Sequence, residues 1–364
     1  MIYLTDYRTA STIETTFLED IAYPQHVHML KDTYKRIETG LAYPPHKLAD
    51  KVLDPALLED LRNRPGKTAF IFASGNSHLA GINGKQKQSQ LTYDYKMLPL
   101  TLTQIYAGRI AQLCGAQDLV TTDASACASS LKVLMDVMAL TKLHRFDRVV
   151  VLSFEDPITN NVLQFFGEAG ASLTEKSTVI PSAFDSHNYG FYVGQGAVLA
   201  VFETADGLTK KPEASLWNAF SASEISTNAI GQREDGQGFV RAIEGALQGI
   251  TESKVEVVKT HGTGTKSNNV AEHNALQECF GNNYVATSFK PTIGHTMGAS
   301  GLLETCLLLD SIKETGKIPA IKNRTEHDSV YLSEDVDYKG GLILSLAAGM
   351  GNIYSAAIFD TRVR

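Results

Sequence analysis

A chain of 364 residues, 43% hydrophobic and 20% charged, has globular composition and length for a large core, which excludes a disordered or fibrous protein. A formal net charge of -7 argues against a nucleic-acid binder, although a local basic patch for an acidic partner is compatible with it. The four cysteines, Cys114, Cys127, Cys279 and Cys306, form no CxxC pair, so no zinc knuckle, redox motif or other metal site is indicated.

The N-terminus, Met1 to Arg8, lacks the basic and apolar regions of a secretory signal. No uncharged apolar run is long enough to span a bilayer. A cytoplasmic, reduced protein with no membrane contact is expected. Residues 1 to about 65 read as mixed and polar, with Tyr43-Pro-Pro-His46 as a breaker. Lys67–Gly75 is the first strong strand signal, and residues 97–114 read as helical with a small pair at Ala107-Gly108.

Leu119–Thr122 reads as a strand, followed by Asp-Ala-Ser-Ala and then Cys127. Apolar residues at Leu131, Leu134, Met135 and Met138 then recur at helical spacing. This order predicts strand, tight turn and buried helix, with Cys127 at or near the helix N-terminus. Free amides and the helix dipole favour an anion there, which would depress the thiol pKa and make a nucleophile. A buried cysteine packing as a small hydrophobe is the competing reading.

Arg148–Ser153 is a continuous apolar run, the pattern of a strand covered on both faces. A glycine-punctuated loop, 182–196, leads into a strand at 197–203, and 204–214 reads as a polar connector. The style then repeats, with strands at 255–260, 343–346 and 355–359, and a helix from Ala299 to about Ile312. The two halves, 1–205 and 206–364, resemble each other in outline, which points to an α/β fold duplicated around a shared core.

Two further motifs carry chemistry. In Val258–Thr265, His261 stands just past a strand end and is followed by Gly-Thr-Gly-Thr. Strand ends of α/β sheets collect active sites, and glycine permits close approach. The stretch fails as a phosphate loop because Lys266 follows a threonine. In Ser288–Gly301, His295 follows Gly294 and enters a small-residue helix, with Lys290 nearby and Glu304 further on. Lys290 and Glu304 are candidates for a buried pair that orients the site. One nucleophile and two polarising groups at strand ends suit acyl-thioester chemistry.

On these residues the chain resembles the β-ketoacyl-ACP synthases, or ketosynthases, of the thiolase superfamily, and most of all the elongating synthase II type. The matching motifs are Ala126-Cys127-Ala128-Ser129-Ser130, His261–Thr265, Lys290, Gly294-His295, the loop Phe184–Ala197 and Gly349-Met350-Gly351. The resemblance implies the five-layer α-β-α-β-α thiolase fold. It implies decarboxylative condensation of malonyl-ACP with an acyl group on Cys127, in a type II fatty acid or polyketide pathway. His261, His295 and Lys290 would be catalytic, and the amides of Cys127 and Met350 the oxyanion hole. Gly349, Met350 and Gly351 would form a gating loop, with Glu304, Thr263 and Thr265 in support. No metal or organic cofactor is implied, since the phosphopantetheine belongs to the acyl carrier protein. A homodimer is implied, with a heterodimer of ketosynthase-like subunits as the alternative.

The chain departs from the family pattern in several places. Asn268-Asn269 replace the usual acidic residue after the first histidine motif, while Glu272 is kept. Gln195 stands for a glutamate, Asn188 and Tyr189 for arginine and aspartate, Met350 for the gating phenylalanine and Tyr354 for asparagine. The N-terminus lacks the glycine-rich opening strand. The Asn-Asn variation is similar to ketosynthases of specialised type II pathways, aryl-polyene-like ones included. Two other readings compete. A non-condensing chain-length-factor-like partner subunit would typically lack the nucleophile. A thiolase would carry a second catalytic cysteine near the C-terminal glycine loop, where neither Cys279 nor Cys306 falls.

Overall fold

Ten strands build the central sheet. They are β1 (Ile2–Ala10), β2 (Thr68–Ala73), β3 (Leu119–Asp123), β4 (Arg148–Glu155), β5 (Gly196–Thr204), β6 (Ala214–Ser223), β7 (Val255–Lys259), β8 (Val285–Thr287), β9 (Leu342–Gly349) and β10 (Ile353–Asp360). The structure, a computed structural model, describes residues 1–10, 13–18, 25–30, 49–75, 103–143, 145–158, 160–174, 180–187, 189–208, 210–226, 228, 230–251, 254–326 and 330–363. Tyr43–His46 and residues 97–102 lie outside the described residues.

The strand order is β8-β7-β9-β10-β6-β1-β5-β4-β2-β3. Within each half the order is third, second, fourth, fifth, first. The fifth strand, β5 or β10, runs antiparallel to both neighbours, and the others are parallel where they pair. The halves join through an antiparallel contact of β1 and β6, with Ile2 opposite Leu216.

Seven helices matter for the site: α1 (Pro55–Asn63), α2 (Thr103–Leu113), α3 (Ser129–Lys142), α4 (Asn160–Glu168), α5 (Gln237–Leu247), α6 (Lys266–Phe280) and α7 (Ser300–Thr315). Alternation along the strands sets the layers. Ala69, Ile71 and Ala73 of β2 face a core shared with α3, α7 and the inner face of the second half. Phe70 and Phe72 face a separate core with α1 and α2. In the second half, Leu344, Leu346 and Ile358 pack against α5 and α6. Five layers result, α-β-α-β-α, with α3 and α7 in the middle. Burial of both strand faces explains the continuous apolar runs, since a strand covered on both sides has no reason to alternate. Each fully buried aliphatic side chain contributes about 1.5–3 kcal/mol.

The N-terminal reading needs correction. β1 is not a polar lead-in but a central strand, between β5 and β6. Its pattern was masked by buried Asp6, which pairs with Arg64 at 2.9 Å and with Lys210. Arg64 also reaches Glu203 at 3.2 Å, and Glu203 holds Arg148 at 2.9 Å. A buried charge is tolerated when so paired, and a pattern reader counts it as a surface residue. The segment read as a connector, 204–214, ends where β6 begins. Ile13–Leu18 and Gln25–Leu30 pair antiparallel as the two strands of a hairpin, and the second strand adds in parallel to Val193–Gly194. Among the described residues, no helix is long and apolar enough to cross a membrane.

Candidate active site

Cys127 is the middle residue of a 3-10 turn, Ala126–Ala128, that runs straight into α3. Ala126 has a φ of +47°, a left-handed conformation that costs an L-residue energy and is held here by packing. The second half repeats the device: Met297, φ +46°, opens the turn Met297–Ala299 before α7. Small residues let the loop after β9 come close. A Cβ on Gly349 would lie 2.6 Å from the Ser125 carbonyl oxygen, so only glycine fits.

His261 leaves the end of β7. Its amide donates to Glu272 Oε1 at 2.6 Å, the Gly262 amide to Oε2 at 2.9 Å, and Asn268 Nδ2 to Oε2 at 2.9 Å. Glu272 is fully buried, and burial pushes its carboxyl up while these donors pull it down. His295 is placed by a backbone exchange with the glycine loop: its amide donates to Tyr192 O at 2.7 Å, and Gly194 N donates to His295 O at 3.0 Å. A Cβ on Gly194 would lie 2.5 Å from Ile293 O, which explains the glycine there. Ser300 Oγ lies 3.1 Å from His295 Nδ1, and the Phe191 ring meets His295 edge-on at 4.9 Å. The two imidazole centroids are 5.8 Å apart.

Cys127, His261 and His295 line one cavity of about 290 Å³, with Thr263, Thr265, Gly349 and Met350 also in its wall. Thr263 and Thr265 share a hydroxyl contact of 3.0 Å. Cys114, Cys279 and Cys306 do not line it. Neither do Lys290, Glu304 and Gly351. Lys290 is buried beside the cavity, and its Nζ donates to the His261 carbonyl and to Glu304 Oε1 at 2.8 Å. The Lys290–Glu304 pair is therefore present as expected, but it holds the His261 backbone and does not face the cavity. Gly351 is exposed, in the turn between β9 and β10. Of the departing positions, Asn188 lies outside the described residues. Gln195 Nε2 donates to buried Asp156 Oδ1 at 2.8 Å, and Tyr354 OH donates to Glu224 Oε2 at 2.8 Å.

Sequence reasoning missed Lys259. It is fully buried at the end of β7, donates to Glu304 Oε2 at 3.1 Å and to Leu346 O at 2.8 Å, and burial pushes it down to about 8. A lysine ending an apolar strand such as Val-Glu-Val-Val-Lys was the available signal, because a buried ammonium needs a partner. Phe166, Ala171 and Ile230 also line the cavity and carried no motif.

The electrostatics overturn one expectation. Cys127 is not depressed; burial pushes its thiol up to about 12, while the charge of Lys290 pulls it down. A helix terminus contributes at most about 2 kcal/mol. A rise from 9 to about 12 corresponds to about 4 kcal/mol, so burial wins and the resting sulfur is a neutral thiol. Burial and Lys290 push both His261 and His295 well below 6.5, so both imidazoles are neutral at pH 7.

Comparison with known proteins agrees with this geometry. Residues 46–207 match the sequence model of the β-ketoacyl synthase N-terminal domain, and 219–324 that of its C-terminal domain. The ketoacyl synthase alpha subunit of the tetracenomycin polyketide synthase of Streptomyces glaucescens is 26% identical over 266 residues, covering 68% of this chain and 62% of that one. The 3-oxoacyl-[acyl-carrier-protein] synthase 2 of Synechocystis is 26% identical over 255 residues, covering 67% and 60%. The chain thus spans less than two thirds of the length of these relatives. Among solved structures, a chain of a type II PKS acyl-carrier protein in complex with its ketosynthase bound to the hexaketide gives a TM-score of 0.86 at 17% identity, covering 99% of this chain and 98% of that one. A chain of a ketosynthase in complex with its chain length factor, from Xenorhabdus doucetiae, gives 0.80 at 16%, covering 100% and 98%. These two likenesses establish the thiolase-type fold. With both domain models matched in order along the chain, over a duplicated fold whose paired turns present the cysteine and a histidine, the chain belongs to the β-ketoacyl synthase family.

Proposed function

We propose that this protein is a condensing ketosynthase of a type II fatty acid or polyketide system, acting on acyl and malonyl groups held on an acyl carrier protein. The observation that supports it most is the convergence of Cys127, His261 and His295 on one cavity. In the first half-reaction, Cys127 Sγ attacks the acyl thioester carbonyl. The carbon–sulfur bond to the pantetheine breaks, and the thiol proton ends on the leaving sulfur. In the second, the malonyl carbon–carbon bond breaks, carbon dioxide leaves, and the electron pair becomes an enolate. Neutral imidazoles donate N–H to its oxygen; in this scheme the His295 Nδ1–Ser300 contact takes the serine hydroxyl as donor, which puts the ring proton on Nε2 for that task. The enolate carbon attacks acyl-Cys127, a carbon–carbon bond forms as the carbon–sulfur bond to Cys127 breaks, and the released thiolate takes a proton from water. The oxyanion hole is assigned to the amides of Cys127 and Met350. No metal or organic cofactor enters this scheme.

A neutral thiol needs a base; with the His295 proton on Nε2 and its Nδ1 held by Ser300, that role falls to His261. Substituting His295→Ala is expected to lower malonyl decarboxylation about 10²–10⁴-fold at every pH. Acyl loading should fall much less, because His261 remains to take the thiol proton, and should rise with pH as hydroxide joins it. Stopped assays of both half-reactions across pH measure this, and equal, pH-independent losses in the two would contradict it.

Met350 lines the cavity and packs on the apolar cluster around Cys127. An unbranched side chain closes a pocket less rigidly than an aromatic ring. In the gating role, Met350→Phe narrows the range of acyl chains loaded and leaves decarboxylation near wild type. An unchanged chain-length profile would reduce Met350 to packing.

The second reading, a non-condensing partner subunit, is favoured by the fold likeness to a ketosynthase and chain length factor complex. Retention of the cysteine and both histidines weighs against it. Failure of the protein to acylate or decarboxylate, alone or in a heterodimer, would favour it.

A further inference from the structure

The buried apolar cluster that includes Cys127 is partly built from residues outside the family match. Cys127 belongs to a buried cluster with Val27, Met29, Ile158, Val162, Leu163, Phe166, Phe191, Val193 and Met297. Val27 and Met29 come from the second hairpin strand, Gln25–Leu30, whereas the family match begins at residue 46. Along that strand Gln25, Val27 and Met29 are buried and His26 is exposed, the period of two expected of a strand with one face on a core. The hairpin is fastened at two points. Val27 and His28 pair in parallel with Val193 and Gly194, one strand away from His295. Gln25 Nε2 donates to Leu163 O of α4 at 3.2 Å. Phe166 and Phe191 belong to both this cluster and the cavity wall, whereas Val27 and Met29 belong to the cluster and do not line the cavity.

We propose that this hairpin is the substrate-sizing element of the chain: Met29 and Val27 form the far wall of the compartment that receives the acyl tail when its carbonyl is on Cys127. The inference rests on the condensing reading above. An acyl tail beyond the sulfur must displace or reorder apolar side chains, and methionine is the most adaptable of them. The residues behind the first wall then limit its length. One methylene too many or too few in an apolar pocket changes selectivity about 10–200-fold.

The test is loading of Cys127 by a graded chain-length series of acyl-pantetheine thioesters, read as the intact mass of the protein with time. Each transfer breaks the pantetheine thioester, forms one on Cys127 and leaves the proton on free pantetheine. Met29→Ala is expected to raise loading of the longest chains at least about tenfold relative to the best wild-type chain. Val27→Ala, a smaller change, should shift the profile in the same direction by less. Met29→Trp should shift it towards shorter chains. Wild-type acylation with an unchanged profile in both alanine variants overturns the hairpin's role and leaves the condensing function standing. No acylation of wild-type Cys127 by any chain overturns the condensing function, and this inference with it.

Discussion

Cys127→Ala is expected to abolish covalent acylation and to lower condensation by at least about 10⁴-fold, the order seen when a covalent nucleophile is removed. The change removes one sulfur from a buried cluster, so the stability cost is about 1 kcal/mol and the fold is kept. Malonyl decarboxylation should persist, because in the proposed chemistry the enolate is held by His261 and His295 and not by the sulfur. Intact mass, carbon dioxide release and circular dichroism on one preparation separate these outcomes. Acyl label on Cys114, Cys279 or Cys306 would sink the assignment, and each of these has a physical reason to stay inert. Cys114 and Cys306 are buried outside the cavity wall, and Cys279 lies on α6, also outside it.

Glu304→Ala carries the largest expected loss of stability. Glu304, Lys259 and Lys290 are all essentially inaccessible to solvent, and the one carboxylate faces two ammonium groups. Removing one partner of a buried ion pair costs about 3–5 kcal/mol, because the other charge is left without compensation. The pH dependence has a definite sign. Lys259 is pushed from 10.5 down to about 8 in the folded protein, so between these values the unfolded chain binds more protons. Stability from this group therefore rises with pH across that window. Without Glu304, Lys259 sheds its proton more readily, so the deficit of the variant should shrink as pH rises from 7 into that window. Denaturant unfolding at the two ends of the range measures it. A deficit below about 1 kcal/mol with no pH dependence would mean that the pair is solvated. Loss of Glu304 should also slacken His261, since Lys290 bridges the carboxylate and the His261 carbonyl.

The legible parts of this molecule were those where local chemistry and tertiary role coincide. The turn at Cys127 was visible because small residues, a thiol and a helical apolar pattern follow one another. The histidine turns were visible because glycine is required where backbones meet, as at Gly194 against Ile293. Strand β2 announced itself because both faces are covered. β1 did not, because Asp6 is buried through a partner 58 residues away, a relation no local window contains. Lys259 escaped for the same reason: its partner Glu304 is 45 residues distant. The depressed thiol was misjudged because the helix terminus is local and readable, whereas burial depends on the whole fold. The hairpin wall carried no motif, since apolar residues at alternating positions specify a face and not what it faces.

The most direct measurement of the central claim follows wild-type protein, acyl carrier protein loaded with an acyl group, and a second portion loaded with malonate in one reaction. The account predicts a transient mass increase of one acyl group, mapped by peptide sequencing to Cys127. It then predicts loss of that mass, with one carbon dioxide and one β-ketoacyl carrier product formed for each acyl group consumed. An acyl group that never appears on Cys127, or carbon dioxide released without any new carbon–carbon bond, would contradict it.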